Sequence, residues 1–115
     1  MHELSIAEKI VKTVETELRS HDIKDDVKNI IFKAGQLSAI IPDSLSFHFD
    51  LLKKDHPQLQ RAELTIVVLP VVAFCKNCSL DYELSEPIFI CKKCSGPLEI
   101  KSGQELIIES FNTFD

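Results

Sequence analysis

The chain has 115 residues, with 13 Lys and Arg against 18 Asp and Glu, for a formal net charge of −5. Apolar residues make up 44% and charged residues 27%, a balance that excludes a wholly disordered chain and suits one domain, or one domain carrying a small module. The best apolar run, residues 64–74, falls short of the ~18–20 residues a membrane helix needs. The opening residues lack a basic segment followed by an apolar stretch, so neither a secretory leader nor a membrane partner is expected, and the protein reads as cytoplasmic. Lys and Arg are nowhere concentrated, so the electrostatic footprint of a nucleic-acid binder is missing.

Residues 5–20 carry Ile6, Ile10, Val14 and Leu18 at four-residue intervals, flanked by Ala7 and Val11; this is an amphipathic helix. Ser5 and Glu8 fit a capping box, which places the helix start at Ser5 and leaves residues 1–4 as an exposed lead-in. After the polar stretch 22–26, residues 27–34 alternate Ile30, Phe32 and Ala34 against Asn29 and Lys33, a strand ending at Gly35. Pro42 and Asp43 suit the first turn of a second helix, with Leu45, Phe49 and Leu52 as its apolar stripe and Lys53 and Lys54 in its last turn. Residues 55–61, broken by Pro57, read as a loop. Residues 62–69 alternate Leu64, Ile66 and Val68 against Glu63 and Thr65, a second strand stopped by Pro70. Residues 105–111 set Leu106 and Ile108 against Glu105 and Glu109, a third strand.

The expected fold is α+β, two helices with a small sheet of about three strands, interrupted by a four-cysteine hairpin. The main domain is then discontinuous, residues 1–73 and 98–115, with residues 74–97 as the inserted module. Gly96-Pro97 and Ser102-Gly103 mark the return path.

Cys75, Cys78, Cys91 and Cys94 form C-x2-C-x12-C-x2-C. Each CxxC pair can chelate from a tight turn, and the spacer closes a hairpin that brings the pairs together. Four thiolates suit a structural, tetrahedral Zn(II) site. A redox dithiol needs only one pair, two disulfides are rare in the cytoplasm, and an iron–sulphur or rubredoxin-like centre would use the same four ligands. A closed site offers no open coordination position for a hydrolytic water. Phe74, Leu80, Tyr82, Ile88 and Phe89 are expected to pack the hairpin.

The N-terminus, Met1-His2-Glu3, offers a second donor set. The terminal amine, the His2 amide nitrogen and the His2 imidazole chelate one ion in consecutive small rings, and the Glu3 backbone or carboxylate adds a further donor. A nitrogen-rich, tetragonal set suits Ni(II) or Cu(II) rather than zinc. His21, at the end of the first helix, His48, beside the second helix's stripe, and His56, in the loop, have ordinary surface or packing explanations.

Met1-His2-Glu3-Leu4-Ser5, Gly35-Gln36-Leu37-Ser38, Pro42-Asp43-Ser44-Leu45 and the two CxxC pairs together resemble the HypA/HybF family of hydrogenase nickel-incorporation proteins, over residues 1 to about 109. The resemblance implies a metallochaperone that helps deliver Ni(II) to the large subunit of [NiFe]-hydrogenase beside a nickel-binding GTPase, and that in some organisms also serves urease maturation. It implies Ni(II) on His2 with Glu3 and the Met1 amine, and structural Zn(II) on Cys75, Cys78, Cys91 and Cys94. One departure is visible: where the family often has Gly after the second cysteine of each pair, this chain has Ser79 and Ser95, with Gly96 one residue late. Such glycines ease the positive-φ turn that brings N–H groups to the thiolates.

Two further classes fit part of the sequence. A zinc-ribbon adaptor for protein or nucleic acid explains the cysteines but not the Met-His-Glu start. A thiol redox enzyme requires reactive CxxC pairs. The sequence shows no Ser/His/Asp set, paired-carboxylate motif or phosphate-cradling glycine loop, so no enzymatic activity is expected.

Overall fold

The computed structural model describes residues 3–86 and 88–115. Its elements are α1 (Glu3–Ser20), β1 (Val27–Gly35), α2 (Pro42–Leu52), β2 (Glu63–Leu69), β3 (Val71–Cys75), β4 (Leu80–Leu84), β5 (Glu99–Ser102) and β6 (Leu106–Thr113). The α+β class holds, with two helices and two three-stranded sheets, ordered β2-β1-β6 and β4-β3-β5. Among the described residues no helix is long and apolar enough to cross a membrane.

The chain divides into two compact units. The first comprises Met1–Phe32, Ile40–Val67 and Ile107–Asp115. Its core takes Ile6, Ala7, Ile10, Val11, Val14 and Leu18 from α1, Leu45 and Phe49 from α2, and Val27, Ile30 and Phe32 from β1. The four-residue spacing of the α1 set puts one apolar stripe along the helix, and burying that stripe, rather than helix propensity, supplies most of its stability. The second unit comprises Lys33–Ala39 and Val68–Leu106. It contains residues 74–97 along with β3, β5 and the segment Lys33–Ala39.

Two expectations about these elements are corrected. Helix α1 begins at Glu3, not Ser5, so Ser5 lies exposed inside the first turn and is not its cap. Glu3 is itself an acidic first-turn residue, favourable at the positive end of the helix dipole, and its carboxylate accepts a 3.3 Å hydrogen bond from the Ser44 hydroxyl. Residues 55–61 are not a plain loop: a short 3-10 turn, Pro57–Leu59, drives Leu59 into the core with no exposure at all. Pro70 ends β2, but the chain resumes at once as β3, since a proline lacking N–H interrupts a ladder without preventing extension on its far side.

Within the second unit β3 is the central strand. It pairs antiparallel with β4, from Val71 opposite Leu84 to Cys75 opposite Leu80, and antiparallel with β5 through Ala73 opposite Ile100 and Phe74 opposite Glu99. Its alternation buries Val71, Ala73 and Cys75. Ala73, Cys75, Cys91 and Leu98 form the core here, with Tyr82, Leu84 and Phe89 packed against them. Ile88, expected in the packing, is instead 56% exposed.

Candidate metal centre

The two CxxC pairs occupy equivalent local structures. Cys75 closes β3, and residues 76–79 form the hairpin turn into β4 that carries Cys78. The second pair sits in a smaller hairpin: Ile90 bridges Pro97, Cys91 N–H donates to Gly96 O at 2.9 Å, and Ser95 N–H returns to Cys91 O at 2.9 Å. In the first knuckle the N–H groups of Cys78 and Asn77 reach the Cys75 sulphur. In the second, those of Cys94 and Lys93 reach the Cys91 sulphur. Ser79 and Ser95, the residues standing where glycines are frequent, take φ of 55° and 59°. The chain therefore keeps the left-handed turn at both knuckles and bears the Cβ strain that glycine would avoid.

The four Sγ atoms lie within 4.8 Å of one another. Cys75 and Cys94 are 3.5 Å apart, and Cys91 and Cys78 are 3.9 Å apart. A regular tetrahedron with metal–sulphur bonds of ~2.3 Å has edges of about 3.8 Å, so the donor set fits a zinc-sized thiolate site. Cys75 and Cys91 are buried and Cys94 is exposed.

Electrostatics give the same picture of mutual crowding. The Tyr82 hydroxyl, with the Cys94 and Lys93 N–H groups, lowers the Cys91 thiol to about 6. Burial, together with the neighbouring sulphurs of Cys94, Cys91 and Cys75, pushes Cys78 up to about 12. At Cys75 the Cys78 N–H favours the thiolate, but burial and the Cys94 and Cys91 sulphurs outweigh it and the thiol is raised. Without a cation the cluster thus favours a thiolate at one cysteine while opposing it at two others; a divalent ion removes that conflict.

Sequence reasoning did not foresee the polar groups that meet the sulphurs. The Tyr82 oxygen is 3.3 Å from Cys91 Sγ, and Gly96 N–H lies 3.4 Å from Cys94 Sγ. The signal for the first was present in the alternation of β4, where Leu80, Tyr82 and Leu84 are half-buried and Asp81 and Glu83 exposed. Tyr82 therefore belongs to the inward row.

Of the N-terminal donors, Met1 and His2 lie outside the described residues. Glu3 begins α1 and is engaged by Ser44. The other histidines lie elsewhere: His21 pairs with Glu17 at 3.2 Å on the surface, His48 meets Phe47 edge-to-face, and His56 Nδ1 stands 2.7 Å from Glu15 Oε2. Among the described residues the four cysteines are the one cluster of three or more metal-ligating side chains.

The profile of a family described as hydrogenase/urease nickel incorporation, metallochaperone, hypA, matches residues 1–113. A hydrogenase maturation factor HypA from Desulfatibacillum aliphaticivorans is 40% identical, with 100% of this chain and 88% of the relative aligned. That from Desulfosudis oleivorans is 39% identical, covering 96% of each. The solution structure of the Ni metallochaperone HypA from Helicobacter pylori superposes with a TM-score of 0.70 at 22% identity, over 98% of this chain and 97% of the other. A second solution structure, of a HypA protein, gives 0.75 at 22% identity, over 99% and 97%. These likenesses to solved structures establish a shared fold.

Proposed function

Because the chain belongs to the HypA family of hydrogenase/urease nickel-incorporation metallochaperones, we propose that it binds Ni(II) at its N-terminus and helps deliver it to the large subunit of [NiFe]-hydrogenase during maturation. The observation that carries this reading is the closed sulphur cluster, whose edges of 3.5 and 3.9 Å match a tetrahedral thiolate site. Cys75, Cys78, Cys91 and Cys94 hold a structural Zn(II), which supplies folding energy and offers no exchangeable position. The cargo then needs a chemically different site. The Met1 amine, the His2 amide and imidazole, and Glu3 provide nitrogen and oxygen donors of the kind nickel prefers, so the two ions do not exchange.

The protein acts in the cytoplasm as a carrier with no reaction of its own, beside a nickel-binding GTPase and, in some organisms, urease maturation proteins. A zinc-ribbon adaptor would use the same cysteines but leaves the Met1-His2-Glu3 start without a purpose.

Titration of the purified protein with Ni(II), paired with elemental analysis for zinc, tests the reading. One zinc per chain is expected in both the parent and His2→Ala, with stoichiometric nickel binding in the parent and its loss in His2→Ala. Unchanged nickel stoichiometry and affinity in His2→Ala would refute the N-terminal site.

A further inference from the structure

The four sulphurs differ in what solvates them. Cys75 receives the N–H groups of Cys78 and Asn77. Cys94 is exposed, so water reaches it, and it also takes the Gly96 N–H at 3.4 Å and the Asn77 side-chain amide at 3.9 Å. Cys91 is 1% exposed. Burial strips it of water, and besides two N–H groups of its own knuckle and the neighbouring cysteine sulphurs it meets the Tyr82 hydroxyl at 3.3 Å.

We propose that Tyr82 is a positioning residue for the metal centre, its hydroxyl donating to the Cys91 thiolate in place of water and so retaining the bound zinc. The inference rests on reading the four thiolates as a zinc site. A zinc-bound thiolate carries no proton, so in that state only the phenol can donate. A donor to a metal-bound sulphur spreads its charge, fixes the direction of its lone pairs and disfavours its protonation, which is the first step of metal loss. The backbone makes the placement reproducible. Tyr82 sits opposite Ala73, two residues before Cys75 on β3. Ala73 is wholly buried and small, and Tyr82 packs directly against the cluster of Ala73, Cys75, Cys91 and Leu98. Deleting the oxygen alone, as Tyr82→Phe does, keeps this packing.

The test compares wild-type and Tyr82→Phe proteins loaded with one zinc per chain. Release to an excess of a chromogenic chelator is expected to be about tenfold faster in Tyr82→Phe. In the cobalt-substituted protein the thiolate-to-metal charge-transfer band should shift, a signature that looser packing alone does not produce. An unchanged release rate, or faster release with an unmoved band, overturns the proposal. Tyr82 is the only tyrosine of the chain, so the tyrosine doublet in the Raman spectrum of the unmutated protein reports this hydroxyl directly. In the zinc-loaded protein it should indicate a strong hydrogen-bond donor, and a doublet that reports no donation there overturns the proposal without any variant. A wild-type protein that binds no zinc would instead refute the four-thiolate reading itself.

Discussion

A Cβ placed on Gly35 would stand 2.1 Å from both the carbonyl carbon and the carbonyl oxygen of Gly103. Gly35 has ordinary extended angles, φ −67° and ψ 146°, so the need for glycine comes from close backbone approach, not from a special conformation. Two short hydrogen bonds hold the segments together: Gly35 N–H to Glu105 O and Leu37 N–H to Gly103 O, each 2.7 Å. Gly103 has φ 120°, and its own Cβ would meet Val71 Cα at 2.9 Å. Since backbone rather than flexible side chain blocks the way, Gly35→Ala is expected to cost about 3 kcal/mol or more. Ser38→Ala, which removes only a 2.6 Å bond from the hydroxyl to Gly35 O, should cost about 1 kcal/mol. Chemical denaturation of both variants checks the contrast, and a Gly35→Ala protein as stable as Ser38→Ala would mean that the close approach is not kept in solution.

Ser79 and Ser95 lead to the opposite sign. Each holds a left-handed φ, 55° and 59°, at a strain of about 1–2 kcal/mol for an L-residue. Glycine removes that strain but is more flexible when unfolded, which takes back roughly 0.5–1 kcal/mol. Ser79→Gly and Ser95→Gly should each therefore stabilise the second unit by about 0.5–1 kcal/mol. Thermal unfolding with zinc content held equal is the measurement, and a lowered midpoint would count against the strain argument.

Both glycine relationships show where a sequence stops speaking. The helices, the strands β1, β2 and β6 and the cysteine cluster all follow from local periodicity and spacing, which depend on near neighbours along the chain. Gly35 against Gly103 joins residues far apart in sequence, and no local pattern records it. The strands β3, β4 and β5 are short, and β3 directly follows a proline, so the cue that correctly ended β2 also concealed its successor. The start of α1 was misplaced because Ser5 and Glu8 satisfy a capping pattern, whereas the contact between Glu3 and Ser44 arises only once α2 is in place.

Removing a cluster ligand should separate the two units. Serine cannot replace a soft thiolate, so Cys91→Ser is expected to release zinc. The apolar core of the second unit, Ala73, Cys75, Cys91 and Leu98, is too small to persist without it. Hydrogen exchange should then show residues 68–106 losing protection while α1 and α2, with their own core, stay protected. Loss of protection throughout both helices would show that the first unit does not fold without the second.

His56 offers a control for the nickel experiments. Its Nδ1 is 2.7 Å from Glu15 Oε2, and both side chains are 29% exposed. The pair is partly buried yet still reached by water, so His56→Gln should cost about 1 kcal/mol and leave nickel stoichiometry unchanged. A nickel-binding defect in that variant would move suspicion away from the N-terminus.

If the N-terminus binds nickel as proposed, the place of Glu3 in the helix indicates the form in which it would serve. Its carboxylate is already engaged by the Ser44 hydroxyl at 3.3 Å, whereas the first N–H groups of an α-helix have no acceptor within the helix. Glu3 is the first residue of α1, so its amide nitrogen is free of that ladder and adjoins the His2 donors in the chain. The backbone of Glu3, rather than its side chain, is then the expected ligand. Glu3→Ala should bind nickel within about tenfold of the parent affinity, because each tenfold corresponds to only about 1.4 kcal/mol and no donor is lost. Glu3→Pro removes the amide hydrogen that must leave for the nitrogen to coordinate, yet proline is well tolerated in the first turn of a helix, so α1 should survive and nickel binding should not. Titration with Ni(II) alongside far-UV circular dichroism distinguishes the cases. Binding should also weaken as pH falls from about 7.5 toward 6, because protons compete for the terminal amine and the imidazole, whose ordinary pKa values are near 8 and 6.5. Tight nickel binding by a folded Glu3→Pro protein, or its loss in Glu3→Ala, would assign the donor to the carboxylate instead.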